Sequence, residues 1–249
     1  GMVRSWDNTT TKGLMRALPD QLVVNNEIIK EEAVLWHGVK PDNIFVGGTP
    51  QYDRSLRNEH ESRELFFEKI GVSAQKRLIL FAPAGCLLSD TDWQICEILK
   101  RGVADGLLPA HLHFLVRNHP GDPALLDKFI PNENFTIERP GTAFERGFKT
   151  TEMTPSDTEH LTNSLFHSEI IIYVNSTIGI DSLPFDKPQI MIEFDGWEKK
   201  TYLESVRRYH QEDHMAKYLK TGAARVVQSP EELFHWINPY LAHPALHRD

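Results

Sequence analysis

The chain has 249 residues, 40% hydrophobic and 25% charged, a mixture that can bury a sizeable core in one large domain or in one domain plus a fragment. Its 35 acidic and 27 basic residues give a net charge of −8, which argues against a broad basic face for nucleic acid. No run approaches the ~18 apolar residues of a membrane span and no signal-peptide pattern precedes the first strand, so any membrane contact is expected to be peripheral at most.

Cys86 and Cys96 both stand in apolar surroundings and are expected as buried thiols in a reducing, cytoplasmic compartment. Gly1 ahead of Met2 reads as the residue a cleaved tag leaves behind.

In chain order, residues 3–13 are polar and aperiodic, a loop. Leu22 to Asn25 reads as a short strand, and Asn26 caps a helix over residues 27–37 that Gly38 ends. Ile44 to Val46 is a second strand, broken by the Gly47-Gly48-Thr49-Pro50 run. The charged stretch 53–64 marks a boundary, giving a first segment of residues 1–55 and a larger domain of residues 56–249. That domain opens with a helix expected over residues 59–70, closed by Gly71, and a buried strand from Arg77 to Ala82. Ser89 is expected to cap the next helix, with Asp92 completing a capping-box variant. Strands follow at residues 113–116 and 135–138, then an irregular loop over residues 140–153. Thr154-Pro155-Ser156-Asp157 is a helix start: cap, proline at the first position, acid at the third. Leu161 and Leu165 supply the apolar seam of that helix. A last strand spans residues 224–227, Ser229 caps a final helix, and Pro244 is expected to end the ordered chain. Strands alternating with helices predict an α/β, doubly wound, mostly parallel sheet.

The chain is organised around residues 170–194. The run Ile170 to Val174 suits a strand buried on both faces, Asn175-Ser176-Thr177 a polar turn, Ile178 the start of a short helix, and residues 189–194 a second buried strand. In such a βαβ unit a ligand sits beyond the carboxyl ends of the strands. Backbone N–H groups at a helix start suit a phosphate, and the Ser176 and Thr177 hydroxyls add donors; the simpler reading is that one of them only caps the helix. Arg117 and His119 leave another strand at the same edge, and the two cations could hold a diphosphate, the histidine through a charge-assisted bond. Gly85 ends a loop at that edge too. Asp181 could reach a ribose hydroxyl, and Asp195 ends the strand after the central helix. His210 and His214 are spaced to face one way on a helix, but a third metal ligand is lacking, so no metal is expected; His214 is carried with Gly85, Asp181 and Asp195 as a candidate contact to ribose, base or sugar. No cofactor motif is present.

Three segments carry a resemblance: residues 5–13 with 22–53, the RNHPGD run at 117–122, and residues 156–196. They resemble bacterial glycosyltransferases of surface and capsular polysaccharide synthesis in the GT-B superfamily, with CDP-glycerol glycerophosphotransferase-like enzymes as close relatives. The resemblance implies two Rossmann-like domains across a cleft, the second of which binds the diphosphate of a nucleotide-sugar donor, with a glycan or lipid-linked acceptor and no bound metal. It matches His119 to the histidine of a His-Pro phosphate motif, which leaves His119 the one possible catalytic residue, and Ser176 and Thr177 to a Ser/Thr pair that grips the diphosphate. Two departures stand out. Pro184 falls inside the central helix and should leave only its first turn regular. And 249 residues are too few for two such domains, so residues 1–55 look like the tail of the first and the rest like the second, the C-terminal half of the fold; such a truncated chain should bind a nucleotide yet transfer poorly alone. A non-hydrolysing sugar-nucleotide 2-epimerase and a non-catalytic nucleotide-binding module are the alternative readings.

Overall fold

A computed structural model describes residues 1–3, 8–53, 55–57, 59–120, 128–143 and 151–248. The chain forms two compact units, Gly1–Asn58 with Gln211–Thr221, and Glu59–His210 with Gly222–Asp249.

In the first unit, strands β1 (Leu22–Val24) and β2 (Ile44–Val46) pair in parallel, and Met2 bridges to Val23 on the far side of β1. Helix α1 (Glu27–His37) joins them. Asn26 accepts a hydrogen bond from the Ile29 N–H at 2.9 Å, and Gly38 closes the helix at φ 69°, a left-handed conformation that glycine adopts without steric cost. Val3, Leu22, Val24, Ile29, Ala33, Val39 and Ile44 form its core.

The second unit is built on a six-stranded, fully parallel sheet. The strands are β3 (Arg77–Ala82), β4 (Leu112–Arg117), β5 (Phe135–Glu138), β8 (Ile170–Tyr173), β9 (Gln189–Ile192) and β10 (Arg225–Val227). Their order in space is β10-β9-β8-β3-β4-β5. Counted along the sheet strands alone, this is the order 3-2-1-4-5-6 seen from the other side, in which the winding reverses between the first strand, β3, and the fourth, β8. The strands read as near-continuous apolar runs because both faces are covered: Leu78 to Phe81, Phe114 to Val116 and Ile170 to Tyr173 are fully buried. The covering helices include α2 (Arg63–Lys69), α3 (Asp92–Ala104), α4 (Pro155–His167), α5 (Ile178–Ser182) and α7 (Pro230–Ala242); α6 (Asp213–Leu219) belongs to the first unit.

Several local expectations hold. Thr154 and Asp157 make the reciprocal capping box, with Pro155 at the first helical position. Pro184 cuts α5 to five residues, and the chain tightens into a 3-10 turn over Leu183–Phe185.

Others need correction. The first helix of this unit starts at Arg63 and not at residue 59, because Ser62 takes the cap position and the Glu61 N–H is held by Asn163 Oδ1 at 3.0 Å. Ser89 does not cap α3; its hydroxyl accepts from the Thr91 N–H, and the Asp92 carboxylate accepts from the Gly85 N–H at 2.8 Å. The stretch 140–153 is not wholly irregular, since β6 (Thr142–Ala143) and β7 (Thr151–Glu152) pair antiparallel. The seam of α4 is mostly polar: Thr162, Asn163, Ser164 and His167 are buried beside Leu165, their polar groups bonded locally or to Glu61. Pro244 opens a 3-10 segment, Pro244–Arg248, instead of ending the ordered chain. Cys96 is buried as expected, but Cys86 is exposed because it lies on the loop after β3. Residues 5–7 and 121–122 of the resembling segments lie outside the described residues.

Candidate functional site

The ligand edge follows from the register. Ala82 of β3 stands opposite Tyr173 of β8, and Phe81 opposite Val116 of β4. Three loops therefore leave one rim of the sheet side by side: Pro83-Ala84-Gly85 after β3, Asn118-His119-Pro120 after β4, and Val174 to Thr177 after β8. β4 and β8 flank β3, two strand spacings or about 10 Å apart. The β3 and β8 loops straddle the winding reversal, where open parallel sheets of this kind part to make a crevice.

After β3 the chain turns at Gly85 with φ 89°, a value that excludes most side chains, and its N–H is fixed on Asp92. A cleft of about 390 Å³ opens here, lined by Ala84, Gly85, Cys86, Leu87, Leu88, His119 and Pro120. The structure thus brings His119 and Gly85 together. Ser176, Thr177 and Asp181 are outside the lining of this cleft and belong to the adjoining strand end.

After β8, Ser176 is half-buried and its Oγ accepts from the Ile178 N–H at 3.3 Å, which leaves its own proton to donate. Thr177 stands at the cap position of α5, exposed, and its side chain makes no capping bond. Capping thus accounts for Ser176 in part and for Thr177 not at all. Gly179, one turn on, packs against the Tyr173 ring so closely that an added Cβ would come within 2.7 Å of it.

Arg117 ends β4 with only 7% exposure. Its Nη1 donates to Glu138 Oε2 at 3.2 Å, and Glu138 in turn meets His160 Nε2 at 2.5 Å. Burial lowers the guanidinium's pKa, while Glu138 first, then Asp157 and Asp181, favour the charged form. Asp181 therefore lies within electrostatic reach of Arg117. The Glu138 and His160 partners escaped the sequence reading, although one signal was present: Arg117 and Glu138 end consecutive sheet strands and stand opposite each other in the register.

Asp195 is buried, and its carboxylate accepts from the Val206 N–H at 2.9 Å, which closes the segment 195–206 on itself. His210 and His214 do not lie on one helix. His210 lies in a 3-10 segment, Val206–Gln211, near Glu193; His214 lies in α6 of the other unit, 3.5 Å from Glu212. Among the described residues no group of three or more His, Cys, Asp or Glu side chains could hold a metal ion, and no helix is long and apolar enough to cross a membrane.

No family model matches the sequence, and no curated protein does either. Solved structures match throughout most of the chain. UDP-GlcNAc 2-epimerase from Neisseria meningitidis bound to UDP-GlcNAc is similar at 11% identity and a TM-score of 0.56, over 92% of this chain and 55% of that one. UDP-GlcNAc 2-epimerase from Methanocaldococcus jannaschii in complex with UDP-GlcNAc and UDP is similar at 17% identity and 0.54, over 88% and 53%. The wall teichoic acid polymerase TagF is similar at 14% identity and 0.52, over 88% and 48%. The chain spans about half the length of these structures. At such identities the likeness is one of fold: an α/β chain with the Rossmann-like sheet of one half of a GT-B architecture.

Proposed function

We propose that the second unit binds the diphosphate of a nucleotide sugar at the rim between β3 and β8, as the donor-binding half of a glycosyltransferase of surface polysaccharide synthesis. One observation carries the reading: the winding reversal is bordered by a Gly85 turn on one side and by the Ser176 and Thr177 hydroxyls on the other. His119, two strands from Ser176, would face the diphosphate from the β4 side. In this reading Ser176, Thr177 and His119 meet phosphoryl oxygens, stabilising charge that grows on the leaving diphosphate. Asp181 would take a ribose hydroxyl, and Arg117, held by Glu138, would steady Asp181 from behind. Asp195 and Gly85 would shape the pocket through the loops they fix. Residues 1–55 are proposed as part of the first domain and residues 56–249 as the donor domain, in a cytoplasmic enzyme that needs no metal. His214 falls within residues 56–249 but in the stretch 211–221 that clusters with the first unit, and this reading gives it no contact to the nucleotide.

A 2-epimerase is the second reading, and it stands level with the first: UDP-GlcNAc 2-epimerases are among the similar structures beside the teichoic acid polymerase. A thermal-shift screen with UDP, CDP and GDP tests what both readings share. A nucleotide at a hundred times its dissociation constant should add about 2.7 kcal/mol of stability. No shift with any of the three overturns the proposal. Incubation with UDP-GlcNAc then separates the two: a 2-epimer formed without acceptor marks an epimerase.

A further inference from the structure

His210 is 6% exposed and stands where β8 and β9 end. Its Nδ1 lies 3.2 Å from Glu193 Oε1, while Glu193 Oε2 accepts from Gln228 Nε2 at 2.7 Å. Burial pushes its pKa below the ordinary 6.5, while Glu193 and the main chains of Val174 and Ile192 favour its charged form. These three neighbours, one carboxylate and two main chains, would all act as acceptors. A neutral imidazole has one N–H to offer them and an imidazolium two. Neither nitrogen makes a well-aligned hydrogen bond as the ring stands. Glu193 is the one charged group acting on it among the described residues. On its own element, Arg207 turns to Ser205 Oγ and the Lys200 carbonyl, and Arg208 to the Leu203 carbonyl and Tyr209.

Val174 is the residue before the Asn175–Thr177 turn. Its N–H donates to the Ala82 carbonyl on β3 at 3.3 Å; it follows Tyr173, which pairs with Met191 of β9, two residues before the Glu193 that His210 meets, and its main chain acts on the ring. We propose that His210, oriented by Glu193, is a positioning residue for the Asn175–Thr177 turn, fixing the carboxyl end of β8 from the β9 side as β3 fixes it from the other. The role of that turn rests on the nucleotide reading above; the place of His210 beside Val174, one residue before the turn, does not.

The test follows the backbone amides of Ser176, Thr177 and Ile178 by NMR in the ligand-free chain between pH 7.5 and 5. In the wild type these amides should shift together with one midpoint below pH 6.5, and the shift should vanish in His210→Gln. Glu193→Gln keeps the ring and removes the charged group that favours its protonation, so its midpoint should lie lower still; this variant serves if His210→Gln does not fold. A shift that persists in His210→Gln, or no shift in the wild type, overturns the proposal. In a second arm, UDP and CDP should bind at least fivefold more weakly to His210→Gln at pH 5.5 than to the wild type, and equal affinity overturns it. If neither nucleotide binds the wild type, the nucleotide reading fails, and the amide shifts still decide the role of His210.

Discussion

Ala82 and Tyr173 face each other as the last paired residues of β3 and β8, the two strands between which the sheet reverses its winding. Whatever follows either residue borders the crevice. From Tyr173 the chain needs three residues to reach Ser176. Replacing Ser176 and Thr177 together by alanine should therefore weaken UDP or CDP binding by at least ~10-fold, since a hydrogen bond to a charged group contributes about 1.5–3 kcal/mol. Calorimetric titration checks this, and without nucleotide the melting temperature should fall only slightly, because Thr177 makes no capping bond and Ser176 makes one, to the Ile178 N–H at 3.3 Å.

Gly179→Ala should destabilise the fold. In an open helix alanine outperforms glycine by roughly 1 kcal/mol. Here the new methyl would stand 2.7 Å from Cζ and Oη of Tyr173, a ring that is fully buried and tied to Gln189 at 3.1 Å. The clash should dominate, for a net loss of about 1–3 kcal/mol in urea denaturation.

Glu138→Ala would take the ion-pair partner from Arg117, which is 7% exposed, and leave it the more distant Asp157 and Asp181. Removing one partner of a buried pair costs about 3–5 kcal/mol, and replacing both by apolar residues costs less. The double variant Arg117→Met with Glu138→Leu should thus be more stable than Glu138→Ala alone, as a comparison of denaturant midpoints would show.

Acid should weaken the protein through its histidines. Burial pushes His113 down to about 4 from the ordinary 6.5, and it lowers His60, His167 and His210 in the same direction. Above pH 6.5 His113 is neutral in both the folded and the unfolded chain, and its contribution is complete. As pH falls from 6.5 towards 4 only the unfolded chain takes up the proton, so stability drains across that window and levels off below it. For His113 the loss amounts to about 3 kcal/mol. Urea midpoints from pH 7.5 to 4.5 should fall more steeply in the wild type than in His113→Gln.

Much of this fold is written in local patterns. Arg77 to Ala82 and Phe135 to Glu138 are apolar or alternating runs bounded by turn residues, and their ends could be read to the residue. The capping box at Thr154 and the break at Pro184 are likewise local chemistry. What stayed hidden depends on partners distant in sequence. Ser89 has the right side chain for a cap, but Asp92 is drawn back to Gly85 and the helix starts late. Arg117 looks like a ligand cation until Glu138 is seen opposite it across the sheet. His210 and His214 have helical spacing, yet they sit in different elements, because the chain leaves a 3-10 turn at Gln211 and starts a new helix at Asp213. At the rim, the order of the strands decides which loops become neighbours, and strand order is not a local property of sequence.

Only five α-helical residues stand behind the Asn175–Thr177 turn before the chain tightens at Leu183. Few peptide dipoles line up there, so the helix projects little field into solution. An anion arriving at this rim would be gripped by hydroxyls and amides at contact distance instead of being drawn in from afar, and the chain's net charge of −8 would repel it at long range. Its capture rate should accordingly rise modestly with ionic strength, the reverse of the behaviour of enzymes that steer their anionic ligands.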